Sequence, residues 1–81
     1  MNVQLIDGQC TTQEAIDLIT ELVQVKIKFL EKKISNLQNE EDIKTKETKI
    51  VALQNNLSTI RQQITLSKFD VTVSGLIEIK V

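Results

Sequence analysis

The sequence predicts an α+β fold with the element order β-α-α-β, in which an antiparallel, coiled-coil-like helical hairpin lies between two strands. A capping motif predicts the start of the first helix, and apolar residues that recur every seven positions predict the second. Alternation of apolar and polar residues with a period of two predicts a long strand over 69–81. A chain of 81 residues has room for one hydrophobic core, so we expect a single domain over 1–81.

A short apolar segment opens the chain. Residues 2–6 are rich in Val, Leu and Ile, and Asp7 and Gly8 follow them, a pair that favours a turn. This pattern predicts a brief strand. A strand this short covers only part of one edge of a longer partner.

The first helix is predicted over 12–37. Thr11 as N-cap and Glu14 three residues later form a capping box, in which each side chain satisfies a backbone N–H that the helix leaves free. On a helical wheel, the apolar side chains of 15–30 cover an arc of roughly 200°, which is wider than one neighbouring helix can cover. We therefore expect two neighbours beside this part of the helix. Beyond it only Ile34 and Leu37 are apolar, and one neighbour suffices.

The second helix is predicted over 40–67. From Ile43 onward, apolar residues occupy the a and d positions of a heptad repeat, and only Lys46 and Ser67 are exceptions. The stripe of the first helix, continued past residue 37, would meet only polar positions, so the two helices are out of phase. Asn39 is a suitable N-cap and acidic residues follow it. We therefore expect the chain to turn near 36–40 into a hairpin, and one continuous helical rod is the alternative.

The two predicted helices share one packed core. Its members are the apolar residues at the centre of the first helix and along the seam of the second. The predicted helix-packing residues are Ile19, Leu22, Val23, Phe29, Leu30, Ile50, Leu53, Leu57, Ile60 and Ile64.

The C-terminal segment predicts one unbroken strand with an apolar face of odd-numbered residues. A tight turn at Ser74 and Gly75 is the alternative, but it sets Val71 opposite Glu78 and so mixes apolar and charged side chains on one face. A strand over 69–81 is about 43 Å long, similar to a helix of 25 residues. We expect it to lie along the helices and cover the first of them.

Such a strand needs a partner of similar length, and the sequence predicts one only in a second copy of the chain. Antiparallel self-pairing centred on Gly75 sets Val73 opposite Ile77, which are both apolar. It also sets Asp70 opposite Lys80, so opposite charges meet. The predicted dimer-interface residues are Phe69, Asp70, Val71, Val73, Gly75, Ile77, Ile79, Lys80 and Val81.

The predicted assembly is a homodimer, or a larger homo-oligomer, whose helices pack on one face of an intersubunit antiparallel sheet. A dimer through the wide apolar face of the first helix, which gives a four-helix bundle, is the alternative. The two contacts are compatible.

For two residues the sequence allows both a structural and a functional interpretation. Lys26 is an unusual charge at the centre of the apolar arc of the first helix. We expect its ammonium group to reach an edge or to pair with Glu47 or a carboxylate of a second copy, and a lysine nucleophile is the alternative. Cys10 precedes a helix N-terminus, where thiols become reactive, but no base accompanies it and we expect a structural residue.

The composition narrows the function classes. The chain has no His, two Gly and one Cys, and its formal net charge is -1. This composition excludes an imidazole base, a His-liganded metal site, a Gly-rich phosphate loop and a disulfide framework. We expect no catalytic residues, no cofactor and no metal, so the chain is predicted not to be an enzyme.

The remaining function classes are interaction and binding. We predict a small non-catalytic, homo-oligomeric scaffold or protein-interaction module, with another protein as a further partner. The alternative is a weak binder of nucleic acid or another polyanion, although interleaved acidic residues nearly cancel the basic charge. The lysines that would serve it gather toward the predicted turn and are Lys26, Lys28, Lys32, Lys33, Lys44, Lys46 and Lys49.

Membrane contact is not expected. The first residues lack the basic start and the apolar segment of a signal peptide. No stretch approaches the roughly 20 apolar residues that span a bilayer. We therefore predict a soluble, cytoplasmic protein.

Overall fold

A computed structural model describes residues 1–36 and 38–81. The helices pack against each other as a hairpin, and the strands pair in a two-stranded antiparallel sheet. The predicted α+β class with the order β-α-α-β is confirmed. The elements are β1 (Asn2–Cys10), α1 (Thr12–Ile34), α2 (Glu40–Thr65) and β2 (Val71–Glu78).

Both helices begin at their predicted caps. The Glu14 backbone N–H donates to Thr11 Oγ1 at 3.2 Å, and the Thr11 N–H donates to Glu14 Oε1 at 2.9 Å. The hydrogen bonds from the Thr11 backbone and side chain lower the pKa of the Glu14 carboxyl. At α2, Asn39 Oδ1 accepts from the Glu41 N–H at 2.8 Å. These bonds satisfy backbone donors that the first turn of a helix leaves free, and they set where each helix starts.

The helices end earlier than the predicted residues 37 and 67. After α1, the Ser35 hydroxyl donates to the Lys32 carbonyl at 2.7 Å, and the Asn36 amide donates to the same oxygen at 3.3 Å. Polar side chains that bond the last carbonyls compete with a further helical turn. Leu37, predicted to close the helix and its apolar stripe, lies outside the described residues.

β1 extends well beyond the predicted range 2–6 and pairs with β2 of the same chain. The expectation that only a second copy offers a strand of similar length is therefore wrong. A register shift between Gln4 and Ile6 leaves Leu5 as a bulge. The bulge moves the side chains that follow by one position, so Val3 and Ile6 both lie opposite odd-numbered residues of β2. Because of this shift, apolar and polar residues do not alternate strictly along β1, and the pattern did not predict its full length.

Gly8 is a strand residue rather than part of the predicted turn. It lies opposite Val73, and its φ of 152° is one that residues with a Cβ atom rarely adopt. A glycine at this position lets β1 continue to Cys10, where α1 is about to begin.

β2 runs without a break through Ser74 and Gly75, so the chain does not turn back there. The strand is shorter than the predicted range 69–81. Before it, the Ser67 hydroxyl bonds both the backbone N–H and the carbonyl of Phe69, which holds a bend instead of a strand. After it, Ile79 still pairs with Met1, since its N–H donates to the Met1 carbonyl at 2.8 Å.

The two layers expected for such a domain are not formed. The Cα atoms span 47 × 32 × 13 Å, and the radius of gyration is 15.2 Å. A compact chain of this length has a radius of gyration of about 12 Å. The strand pair contacts the hairpin only sparsely, mainly through α1. The prediction that the strand lies along the helices is therefore wrong. Among the described residues only Ala15 and Leu30 are buried.

We expect Gly8→Ala to destabilise the fold by about 1–3 kcal/mol, because a Cβ atom strains the backbone at this φ. Gly75→Ala is the matched control. Its added Cβ would meet Ile6 at 3.9 Å, which is ordinary contact, so we expect a change within about 1 kcal/mol. Urea unfolding of both variants at one protein concentration, followed by circular dichroism, measures the difference. Equal stabilities would contradict the strained backbone conformation at Gly8.

Candidate functional site

α1 carries a row of apolar side chains that the rest of the described chain covers only in part. Successive members are four, three and four residues apart, so they lie on one face of the helix. Val25 is 66% exposed and Phe29 is 51% exposed, while the other two are half-buried. We call this set the α1 stripe, and its members are Leu18, Leu22, Val25 and Phe29.

The exposure of Phe29 corrects its place in the predicted core. A neighbouring helix covers one side of the apolar arc of α1, on which Leu30 is 3% exposed. Phe29 lies on the other side of that arc. The second neighbour that the arc predicts is absent from the described residues, because the strand pair does not reach along the helix.

Two lysines flank the exposed aromatic ring. The Nζ atoms of Lys26 and Lys33 lie 5.4 Å and 4.8 Å from the centre of the Phe29 ring. Lys26 is itself exposed, although the helical wheel sets it at the centre of the apolar arc. Within the described residues it forms no ion pair with Glu47, which is one of the alternatives that the sequence leaves open. Its alkyl chain and ammonium group lie beside the α1 stripe, where they shield part of it from water.

The side of α2 that packs on α1 follows the seven-residue repeat. Positions a and d are half-buried over most of the helix, although Ile60 is exposed. Lys46, which interrupts the seam in the sequence, is also half-buried, so a charged residue lies within the helix contact near the hairpin tip. The half-buried a and d residues are Ile43, Lys46, Ile50, Leu53, Leu57 and Ile64.

β2 has one edge that no described strand covers. In an antiparallel strand, the N–H and C=O groups of successive residues point alternately to the two sides. Ile79 directs both of its groups to Met1, so the odd-numbered residues of β2 face β1. The backbone groups of Thr72, Ser74 and Leu76 therefore point to the other side, which we call the open edge.

The sheet has an apolar and a polar face. Val71 and Val73 are half-buried, whereas Thr72 and Ser74 between them are exposed. Cys10 is half-buried and lies opposite Val71, where its thiol is free. Within the described residues no three His, Cys, Asp or Glu side chains come close enough to hold a metal ion.

The helices border two open grooves. One of about 670 Å³ follows the C-terminal half of α2 and includes Leu57, Arg61 and Leu66. A smaller groove of about 350 Å³ lies between Arg61 and the polar side of α1, which includes Asp17. These grooves are open to solvent and offer hydrogen-bonding groups.

The lysines near the hairpin tip are not neutralised by direct contacts. In the described part of the chain the one ion pair within 4.0 Å joins Lys80 and Glu78, at 3.4 Å, and both side chains are exposed. The basic region therefore remains available to an anion, with acidic residues such as Glu40 and Glu47 interspersed.

In the described ranges, neither helix combines the length with the apolar character that crossing a bilayer demands. No protein-family model matches the chain. Neither the curated proteins nor the solved structures include a significant match.

We expect Lys26→Met to change the free energy of unfolding by less than about 1 kcal/mol, because the ammonium group is exposed and Lys33 still flanks the ring. Lys68→Met, at an exposed lysine outside the helices, is the control. Chemical denaturation of both variants measures the effect. A loss of several kcal/mol at Lys26 alone would indicate a buried ion pair instead.

Proposed function

We propose that this chain is a non-catalytic scaffold or protein-interaction module that acts as a homodimer or a larger homo-oligomer. The main support is that the chain exposes more surface than a compact monomer of its mass. The accessible area is 6591 Å², whereas a compact monomer of 9.2 kDa exposes about 4,900 Å². A stable interface covers about 800 Å² on each partner. The excess of about 1,700 Å² is large enough for one such interface or more.

The kind of surface supports self-association as well. Hydrophobic residues make up 41% of the chain, yet Ala15 and Leu30 alone are buried in the described part. Contiguous apolar surface on a soluble protein marks a contact with another molecule. A second copy is the simplest partner, because it provides the same apolar surface at the same concentration.

The open edge of β2 fits a second copy in the register centred on Gly75. In this register Ser74 lies opposite Leu76 of the second copy, and even-numbered residues always meet even-numbered ones. These are the residues whose N–H and C=O groups point outward. A shift by one residue would set even against odd and lose the hydrogen bonds. The result is a four-stranded sheet with the β2 strands at its centre.

The absence of catalysis in this proposal rests on the chemistry of the side chains. The chain has no His, and Cys10 is its one cysteine. An interaction module needs surface and not a reacting group, and surface is what this fold provides.

We expect Ser74→Pro to raise the dissociation constant of the assembly at least tenfold. Proline removes an N–H that points to the open edge and leaves the bonds to β1 in place, because proline is tolerated on an edge strand. Sedimentation equilibrium measures the constant, and circular dichroism checks that the helices remain. Ser74→Ala, which keeps the N–H, is the matched control.

Two outcomes count against the proposal in different ways. An unmodified chain that sediments at 9.2 kDa up to millimolar concentration would reject self-association itself. An assembled chain whose dissociation constant is unchanged by Ser74→Pro would reject the β2 contact alone.

Polyanion binding through the hairpin tip is the second candidate, and the unpaired lysines of the described residues favour it. We expect the chain to bind heparin weakly and to elute at a salt concentration below the physiological one, because nearby carboxylates reduce the net charge of the hairpin tip. Retention that persists above physiological salt, and that Lys32→Gln reduces while Lys68→Gln does not, would instead support this candidate.

A further inference from the structure

We infer that the α1 stripe (Leu18, Leu22, Val25 and Phe29) is a second self-contact, which packs antiparallel against the same stripe of a second copy. The inference rests on the proposed function, since it assumes that the chain self-associates. It adds a surface, a direction and a register that the β2 contact does not provide.

The spacing of the stripe is that of a coiled-coil seam. With Leu22 at position a and Val25 at position d, Leu18 takes the preceding d and Phe29 the following a. α2 already occupies the adjacent side of α1, so the stripe is a separate seam on the same helix. Helices that carry two seams pack between two neighbours, which is the arrangement of a four-helix bundle.

An antiparallel register centred between Leu22 and Val25 matches the side chains in size. Leu22 then faces Val25 of the second copy, and Leu18 faces Phe29. The two-fold axis repeats each contact, so four apolar layers form from four residues. The large ring of Phe29, exposed in the single chain, is covered in this register.

The charges beside the stripe select the antiparallel direction. Glu21 and Lys28 occupy successive g positions along one edge of the stripe, and both are exposed. In the antiparallel register Glu21 of each copy lies beside Lys28 of the other, and the two side chains lean toward each other because each points to the N-terminus of its helix. Two attractive pairs result.

The parallel direction is less favourable. There the g positions meet the e positions of the second copy, so Lys28 lies beside Lys33. Like charges at both symmetric sites oppose that arrangement. Glu21 would meet Lys26, and this attraction at most offsets the repulsion.

Charge reversal tests the register. We expect Glu21→Lys and Lys28→Glu, each alone, to raise the dissociation constant at least fivefold in sedimentation equilibrium, because each sets like charges together at both symmetric sites. The double variant exchanges the two charges, and we expect it to restore the constant to within twofold. Glu31→Lys makes the same charge change on the polar side of α1 and is the matched control.

An apolar position tests the surface itself. We expect Val25→Glu to raise the dissociation constant more than tenfold, because it sets two carboxylates into the seam. Val51→Glu is the control, at a residue of α2 that is also exposed. Both variants keep the helical signal in circular dichroism, since neither residue is in the buried core.

The outcomes separate this inference from the proposed function. A double variant that stays as weak as the single ones would overturn the antiparallel register. A Val25→Glu variant that associates normally, while Ser74→Pro dissociates, would overturn the stripe and leave self-association in place. An unmodified chain that is monomeric at every concentration would remove the proposed function, and the stripe with it.

Discussion

Two helices that lie side by side can cover each other along only one stripe of each cylinder, and this limit governs the structure. α1 has apolar residues over a wider arc than α2 can cover, so one side of it remains in contact with water. The strand pair lies mostly away from the hairpin and does not provide the missing cover. With a thickness of 13 Å the molecule is essentially one layer, whereas stable domains are built from at least two. A second copy of the chain is the cover that the proposed function supplies.

The sequence was most informative where the structure depends on local chemistry. The capping box at Thr11 and the N-cap at Asn39 predicted the helix starts, because caps act within four residues of the chain. The repeat that begins at Ile43 predicted which side of α2 meets α1. Alternation predicted that β2 continues through Gly75, since a turn there would mix apolar and charged side chains on one face.

The sequence was misleading where distant parts of the chain decide the outcome. The bulge at Leu5 interrupts the alternation of β1, so its full length and its pairing with β2 were missed. Gly8 follows an aspartate and therefore matched a turn, although its backbone serves a strand. The helical wheel predicts a core position for Phe29, because it shows an apolar arc but not how much of that arc a neighbour covers. The proposed interaction surfaces depend on that uncovered part, and the helical wheel alone does not show which side of the arc it is.

The ladder between β1 and β2 has a consequence for how the molecule folds. It joins residues from opposite ends of the chain, such as Asn2 and Glu78, so closing it directly from a random coil carries the entropy cost of a very long loop. The helical hairpin involves contacts that are nearer in sequence and can form first, and once formed it holds Cys10 and Val71 at one end. Strand pairing can then proceed residue by residue from that end. We therefore expect the sheet to form after the hairpin, and we expect damage to the helical seam to delay strand pairing even where no strand residue is altered.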